Sequence, residues 1–120
     1  MIGNVDDRNR ALLTVSVSKC SAGPAVSVMT WIDTAFDGHL VFSRKLIDEL
    51  DLETLVETEA ILADGSKVVL ETFLCFVDWF GERKALQVIA NDGSFPLLGT
   101  GLLERRVSHI DFSQRTLTLG

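Results

Sequence analysis

The pair Asp33-Thr34 follows directly on the apolar residues Trp31-Ile32, so a carboxylate and a hydroxyl are delivered to a tight loop at the edge of a core. Such a pair can simply cap its own turn through side-chain-to-backbone hydrogen bonds. It can also present a carboxylate for acid–base work. Other reactive groups are sparse. Cys20 and Cys75 are far apart, belong to no CxxC or Cys/His cluster, and read as two reduced thiols. His39 and His109 are separated by most of the chain, so no zinc site is expected. A Gly-rich phosphate loop, GxSxG and HExxH are all absent from the sequence. Neither a metal nor a cofactor is therefore expected.

The elements that must hold Asp33 read as short strands separated by turn residues. Leu12 to Val17 is rich in β-formers and ends at the turn Ser21-Ala22-Gly23-Pro24. Ala25 to Ile32 alternates, with Val26, Val28, Thr30 and Ile32 on one face and Ser27, Met29 and Trp31 on the other. His39 to Phe42 predicts a short strand. Ser43 caps a helix over Arg44 to Leu50, whose apolar face is Leu46, Ile47 and Leu50. Leu55 to Leu62 and Lys67 to Phe80 are strands flanking Ala63-Asp64-Gly65-Ser66, where Asp-Gly is a strong hairpin signal. A turn at Gly81-Glu82 leads to a strand over Ala85 to Ala90. Thr100 to Arg106 predicts a second short helix, and Ser108 to Phe112 with Arg115 to Leu119 a closing hairpin. Trp31, Trp79, Phe73, Phe76 and Phe80 are read as core or interface residues.

Size and charge limit the possible roles. The chain has 120 residues, which fits one domain over 1–120. With 11 Lys plus Arg against 17 Asp plus Glu, the net charge is −6 and the pI about 4.7, so nucleic acid is not an expected partner. No apolar run reaches the roughly 18 residues that a membrane span needs, so no membrane is expected either. Met1 to Arg10 is polar and lacks a signal peptide's apolar stretch, which implies a cytoplasmic location.

The order of these pieces resembles the retropepsin-like (clan AA) aspartic proteases, and in particular their small single-lobe prokaryotic type. Asp33-Thr34-Ala35-Phe36-Asp37-Gly38-His39-Leu40 matches an Asp-Thr-Gly-Phe-x-Gly-x-Leu stretch. Leu62-Ala63-Asp64-Gly65-Ser66 matches the flap hairpin, and Pro96-Leu97-Leu98-Gly99 the hydrophobic-hydrophobic-Gly element. Leu102-Leu103-Glu104, Ile110-Asp111-Phe112 and Leu117-Thr118-Leu119 complete a likeness that covers nearly the whole chain.

The resemblance implies a mainly-β, single-lobe acid-protease barrel with one or two short helices, working as a homodimer on a peptide or protein substrate. It makes Asp33 catalytic, paired with its copy in the second subunit. Thr34, Ala35, Phe36, Asp37 and Gly38 become the active-site loop. Ala63, Asp64, Gly65 and Ser66 become the substrate-binding flap tip, and Leu97, Leu98 and Gly99 pack behind the loop. Ala35 departs from the family's glycine. If the loop needs a positive φ there, Ala35 is strained by roughly 1 kcal/mol, which favours the alternative of a catalytically weak or inactive dimerisation or peptide-binding module.

Overall fold

A computed structural model describes residues 1–61, 63–93 and 95–120. Among these residues ten strands and two short helices follow in order. They are β1 (Ile2–Val5), β2 (Ala11–Ser18), β3 (Val26–Ile32), β4 (Leu40–Ser43), α1 (Arg44–Leu50), β5 (Glu53–Ile61), β6 (Lys67–Trp79), β7 (Glu82–Asn91), β8 (Leu97–Leu98), α2 (Thr100–Leu103), β9 (Ser108–Asp111) and β10 (Thr116–Leu119). The strands join one sheet in the order β5-β6-β7-β4-β8-β3-β2-β1-β10-β9, and a further β2–β6 pairing curls it on itself. The mainly-β architecture expected from the sequence is present.

Strand periodicity decides what faces inward. Val28, Thr30 and Ile32 of β3 are buried while Met29 and Trp31 face solvent, and β2 sends Leu13, Val15 and Val17 into the same core. Phe42, Leu40, Val77, Val88, Leu98 and Leu117 complete its centre. Each such side chain contributes about 1.5–3 kcal/mol on burial. Thr30, the one fully buried polar residue of the core strands named here, donates its hydroxyl to Leu13 O at 2.7 Å, which removes the cost of an unpaired group. Trp79 and Phe73 are buried as expected, whereas Trp31 sits at the surface. The Ser43 hydroxyl accepts from Leu46 N at 3.2 Å to start α1, and Asp51 ends it in the left-handed region.

Several boundaries differ from the sequence reading. The polar N-terminal segment forms β1, because its backbone pairs with both β10 and β2. The turn after β6 falls on Phe80-Gly81, one residue early, with both residues at positive φ. Helix α2 stops at Leu103 rather than Arg106, and Arg105 takes φ 63°. Leu62, counted in both the fifth strand and the flap stretch, lies outside the described residues. Cys20 is exposed and Cys75 buried, both as free thiols, and burial pushes the Cys75 thiol up to about 11.

Phe42 lies at the centre of the packing with no exposed surface. Phe42→Ala is expected to lower folding stability by about 3–5 kcal/mol in urea titrations. Val26→Ala, at an exposed strand end, is expected to change it by no more than about 0.5 kcal/mol.

Candidate active site

Strand β8 is the support on which the Asp33 loop rests. It pairs parallel with β3 (Trp31 opposite Leu97, Ile32 opposite Leu98) and antiparallel with β4 (Leu40 opposite Leu98). The loop from Asp33 to His39 must therefore cross over the end of β8 to get from one of its neighbours to the other. Asp33 N donates to Leu98 O at 2.9 Å, and Gly99 N donates to His39 O at 2.9 Å. Thr100 N and Oγ1 both donate to Phe36 O, at 2.8 and 3.2 Å, and Gly101 N donates to Gly38 O at 3.0 Å. The loop is thus tied to the β8–α2 segment at both ends and in the middle.

That contact is backbone on backbone. A Cβ added to Gly99 would lie 2.7 Å from Phe36 O, and one added to Gly101 would lie 2.8 Å from Gly38 O. Neither glycine has a positive φ, so close approach rather than backbone freedom requires them. Leu98 is fully buried and Leu97 half-buried.

Asp33 is half-buried, and its Oδ1 accepts from Ala35 N at 3.0 Å. The turn-capping bond anticipated for an Asp-Thr pair is therefore present. It uses only one carboxylate oxygen; Oδ2 has no hydrogen-bond partner among the described residues. Asp33 shares a depression of about 310 Å³ with Trp31, Ile32, Thr34 and Leu97. Thr34, Ala35 and Asp37 are exposed, while Phe36 and Gly38 are half-buried against Gly99. Ala35 keeps a negative φ, so the strain anticipated at this position is absent. His39 is half-buried, and its Nδ1 accepts from Gln87 N at 3.5 Å.

The predicted flap tip stands at the end of the β5–β6 hairpin, with register Ile61 opposite Lys67. Gly65 has φ +85°, and the Asp64 carboxylate accepts from Ser66 Oγ at 2.6 Å and Ser66 N at 2.9 Å. Those two bonds, the hydroxyl first, hold the Asp64 carboxyl below its usual range. Ala63, Asp64, Gly65 and Ser66 are all exposed, and no hydrogen bond among the described residues joins them to the Asp33 loop.

Two contributions went unread in the sequence. Thr100 and Gly101 clamp the loop; the closely spaced Gly99-Thr100-Gly101 was the available signal. Beside Trp31, the Arg10 guanidinium lies 4.4 Å from the Phe95 ring centroid and 5.8 Å from that of Trp31, while its Nε donates to Asp6 at 2.7 Å. This wall joins Arg10 and Trp31 to Phe95, which lies more than 60 residues further along the chain, so no local pattern reveals it.

No protein-family model and no curated protein matches this chain. Solved structures do. A retropepsin-like aspartic protease from Rickettsia conorii superposes with TM-score 0.73 at 19% identity, covering 99% of this chain and 88% of that one. The EIAV protease complexed with the inhibitor HBY-793 gives 0.58 at 15% identity, over 82% of this chain and 89% of that one. The retroviral protease-like domain of Ddi1 from Leishmania major gives 0.52 at 17% identity, over 90% and 87%. The fold is retropepsin-like.

The geometry makes opposite demands at two small residues. Gly99→Ala forces the Phe36–Gly38 loop off β8 and should lower stability by about 1–3 kcal/mol in chemical denaturation. Ala35→Gly relieves no strain and loosens the unfolded chain, so it should lower stability by about 0.5–1 kcal/mol. The depressed Asp64 carboxyl stabilises the β5–β6 hairpin turn above its unfolded pKa, and that contribution is lost as pH falls through the lower folded value. Acid titration followed by NMR should shift the Ser66 amide over that window, and Asp64→Asn should remove the transition.

Proposed function

We propose that the chain is an aspartic endopeptidase, a single retropepsin-like domain over 1–120 that hydrolyses peptide bonds as a homodimer. The observation that carries this reading is the state of Asp33. One carboxylate oxygen is fixed by Ala35 N, the other has no hydrogen-bond partner among the described residues, and the side chain borders an open depression on a loop that β8 holds from beneath. The retropepsin-like fold supports the same reading.

A single Asp33 is half of the required machinery. Hydrolysis by this chemistry needs two carboxylates on either side of one water, and a symmetric dimer supplies the second from its own copy of the loop. Two carboxylates in contact cannot both ionise cheaply, so the pair holds one proton between them. The ionised carboxylate takes a proton from the water as it attacks the carbonyl carbon. The protonated one donates to the carbonyl oxygen, giving a tetrahedral diol. Collapse of the diol returns a proton to the departing amine and breaks the C–N bond, with no covalent enzyme intermediate.

In this reading Thr34 holds the two loops in register across the two-fold axis, and Asp37 lies at the substrate edge of the same loop. Gly38 lets the loop fold back on Phe36, where an added Cβ would lie within 2.8 Å of ring atom Cε1. Leu97, Leu98 and Gly99 support Asp33 from behind. Ala63 to Ser66 close over a bound peptide. Because Ala35 is unstrained, its methyl does not disable the loop through the backbone.

Asp33→Asn tests the assignment. Asn keeps an Oδ1 that can accept from Ala35 N, so the turn survives, but the amide can neither take a proton from water nor share one. Cleavage of a denatured protein should fall at least a thousandfold, by analogy with the loss of a general base plus its electrostatic partner, while the thermal midpoint stays within about 2 °C. Asp33→Ala should lose activity and about 1 kcal/mol of stability as well, because the turn bond goes with it. Undiminished cleavage by Asp33→Asn overturns the proposal.

A further inference from the structure

Strand β6 loses a neighbour at Thr72. From Thr72 to Trp79 it pairs with β7, but over 67–71, toward the hairpin tip, its only partner among the described residues is β5. β7 stays behind with β4, with Phe42 opposite Ala90 and Ser43 opposite Asn91. The two strands therefore part just beyond the Thr72–Ile89 pair, and a notch of about 250 Å³ opens there, lined by Arg44, Val69, Ala90, Asn91 and Asp92. The register irregularity of β5 falls at the same level, between Thr54 and Val56, with Val56 opposite Thr72. An extra residue in one strand bends and twists a ribbon locally. A two-stranded ribbon has little stability of its own, so one that leaves a wider sheet at a bulge has its pivot there.

One side-chain contact spans that pivot. Arg44 is the first residue of α1 and follows Ser43, the end of β4, so it belongs to the body that the ribbon leaves. Its Nη1 and Nη2 donate to Glu71 Oε2 and Oε1 at 3.2 and 2.9 Å. This bidentate pair crosses to the first ribbon residue beyond Thr72. Glu57 stands directly opposite Glu71 in the ribbon, and Asp48 and Asp92 lie within the field of the same guanidinium. Among the described residues no other salt bridge reaches any of these four carboxylates. Without Arg44, like charges would face one another where the ribbon bends. A partly exposed ion pair stabilises a fold only slightly, but here a small bias sets the angle of a long arm.

We infer that the β5–β6 hairpin swings as a unit about residues 55–56 and 71–72, and that Arg44 is the positioning residue that latches it through Glu71. The inference rests on the reading of this hairpin as the flap proposed above, and adds where it bends and what holds it. With the bidentate pair made, the ribbon keeps one orientation relative to the body, so a peptide that binds under it has little disorder to remove. With the pair broken, the ribbon samples several orientations, and the binding-competent one is only a fraction of them. Arg44 touches neither the peptide nor Asp33 in this scheme. It acts through the hairpin, on peptide affinity rather than on the bond-breaking step.

Arg44→Gln and Glu71→Gln each remove the pair at partly exposed side chains, so both variants should fold. Hydrogen exchange on the full chain should rise about two- to fivefold over 57–61 and 67–71 in each, the size set by a partly exposed ion pair, and stay unchanged in β2. The KM for cleavage of a denatured protein should rise by a similar factor while kcat stays within about twofold. The double variant Arg44→Glu with Glu71→Arg rebuilds the pair with its charges exchanged. It should bring exchange and KM back toward the parent values, which a merely structural role for either residue would not do. Unchanged exchange in both single variants overturns the latch and leaves the protease assignment to stand or fall on Asp33→Asn. Raised exchange with an unmoved KM, or without rescue by the double variant, overturns Arg44 as the positioning residue. If the parent chain cleaves nothing, the endopeptidase reading fails, while raised exchange with rescue still upholds the latch.

Discussion

The carbonyl oxygens of Phe36 and Gly38 accept from the backbone of Thr100 and Gly101, and the space between the two segments has no room for a Cβ at Gly99. The rest of the molecule is arranged to permit this contact. β8 contributes only Leu97 and Leu98, yet it is paired on both sides, parallel to β3 and antiparallel to β4. A two-residue strand cannot hold itself; its position comes from Leu98, fully buried between the flanking strands. Core packing, rather than any polar interaction at the surface, therefore sets the height at which Asp33 leaves β3.

That arrangement also makes a turn-capping bond compatible with the acid–base role proposed for the same residue. An aspartate whose two oxygens were both tied to backbone N–H groups would be a structural group only. The Ala35 bond uses Oδ1 and fixes the side-chain rotamer, and the remaining oxygen gains orientation without losing access. Of the two readings of Asp33 that the sequence left open, the turn-capping bond is present at Oδ1, and it leaves room for the proposed acid–base role at Oδ2.

Much of this was legible before any coordinates. Alternation in β3, the Ser43 cap of α1 and the Asp64-Gly65 turn are local signals, each readable within a few residues, and the structure reproduces them. What escaped was set by distant partners. β1 has one buried residue, Val5, and becomes a strand only because β10 and β2 flank it. The Arg10–Phe95–Trp31 wall joins three segments that share no pattern. Gly99 and Gly101 were visible, but as punctuation; that they mark a backbone-to-backbone contact depends on what lies opposite, which the chain does not spell locally. The positive φ on which strain at Ala35 depended is not adopted, which residue type alone did not reveal.

The closure of the terminal strands bears on how a half-site becomes a whole one. Where strand ends are left to a partner, folding and association are one event, and the monomer is incomplete. Here β1, β10 and β9 already form a ladder within the chain, with Leu117 and Leu119 buried beneath it. In the dimeric reading proposed above, a second copy would meet a surface already finished within the chain. Activity that needs two copies of Asp33 would consequently follow protein concentration, with folding and catalysis separated by an association step that neither sequence nor core packing forces to completion.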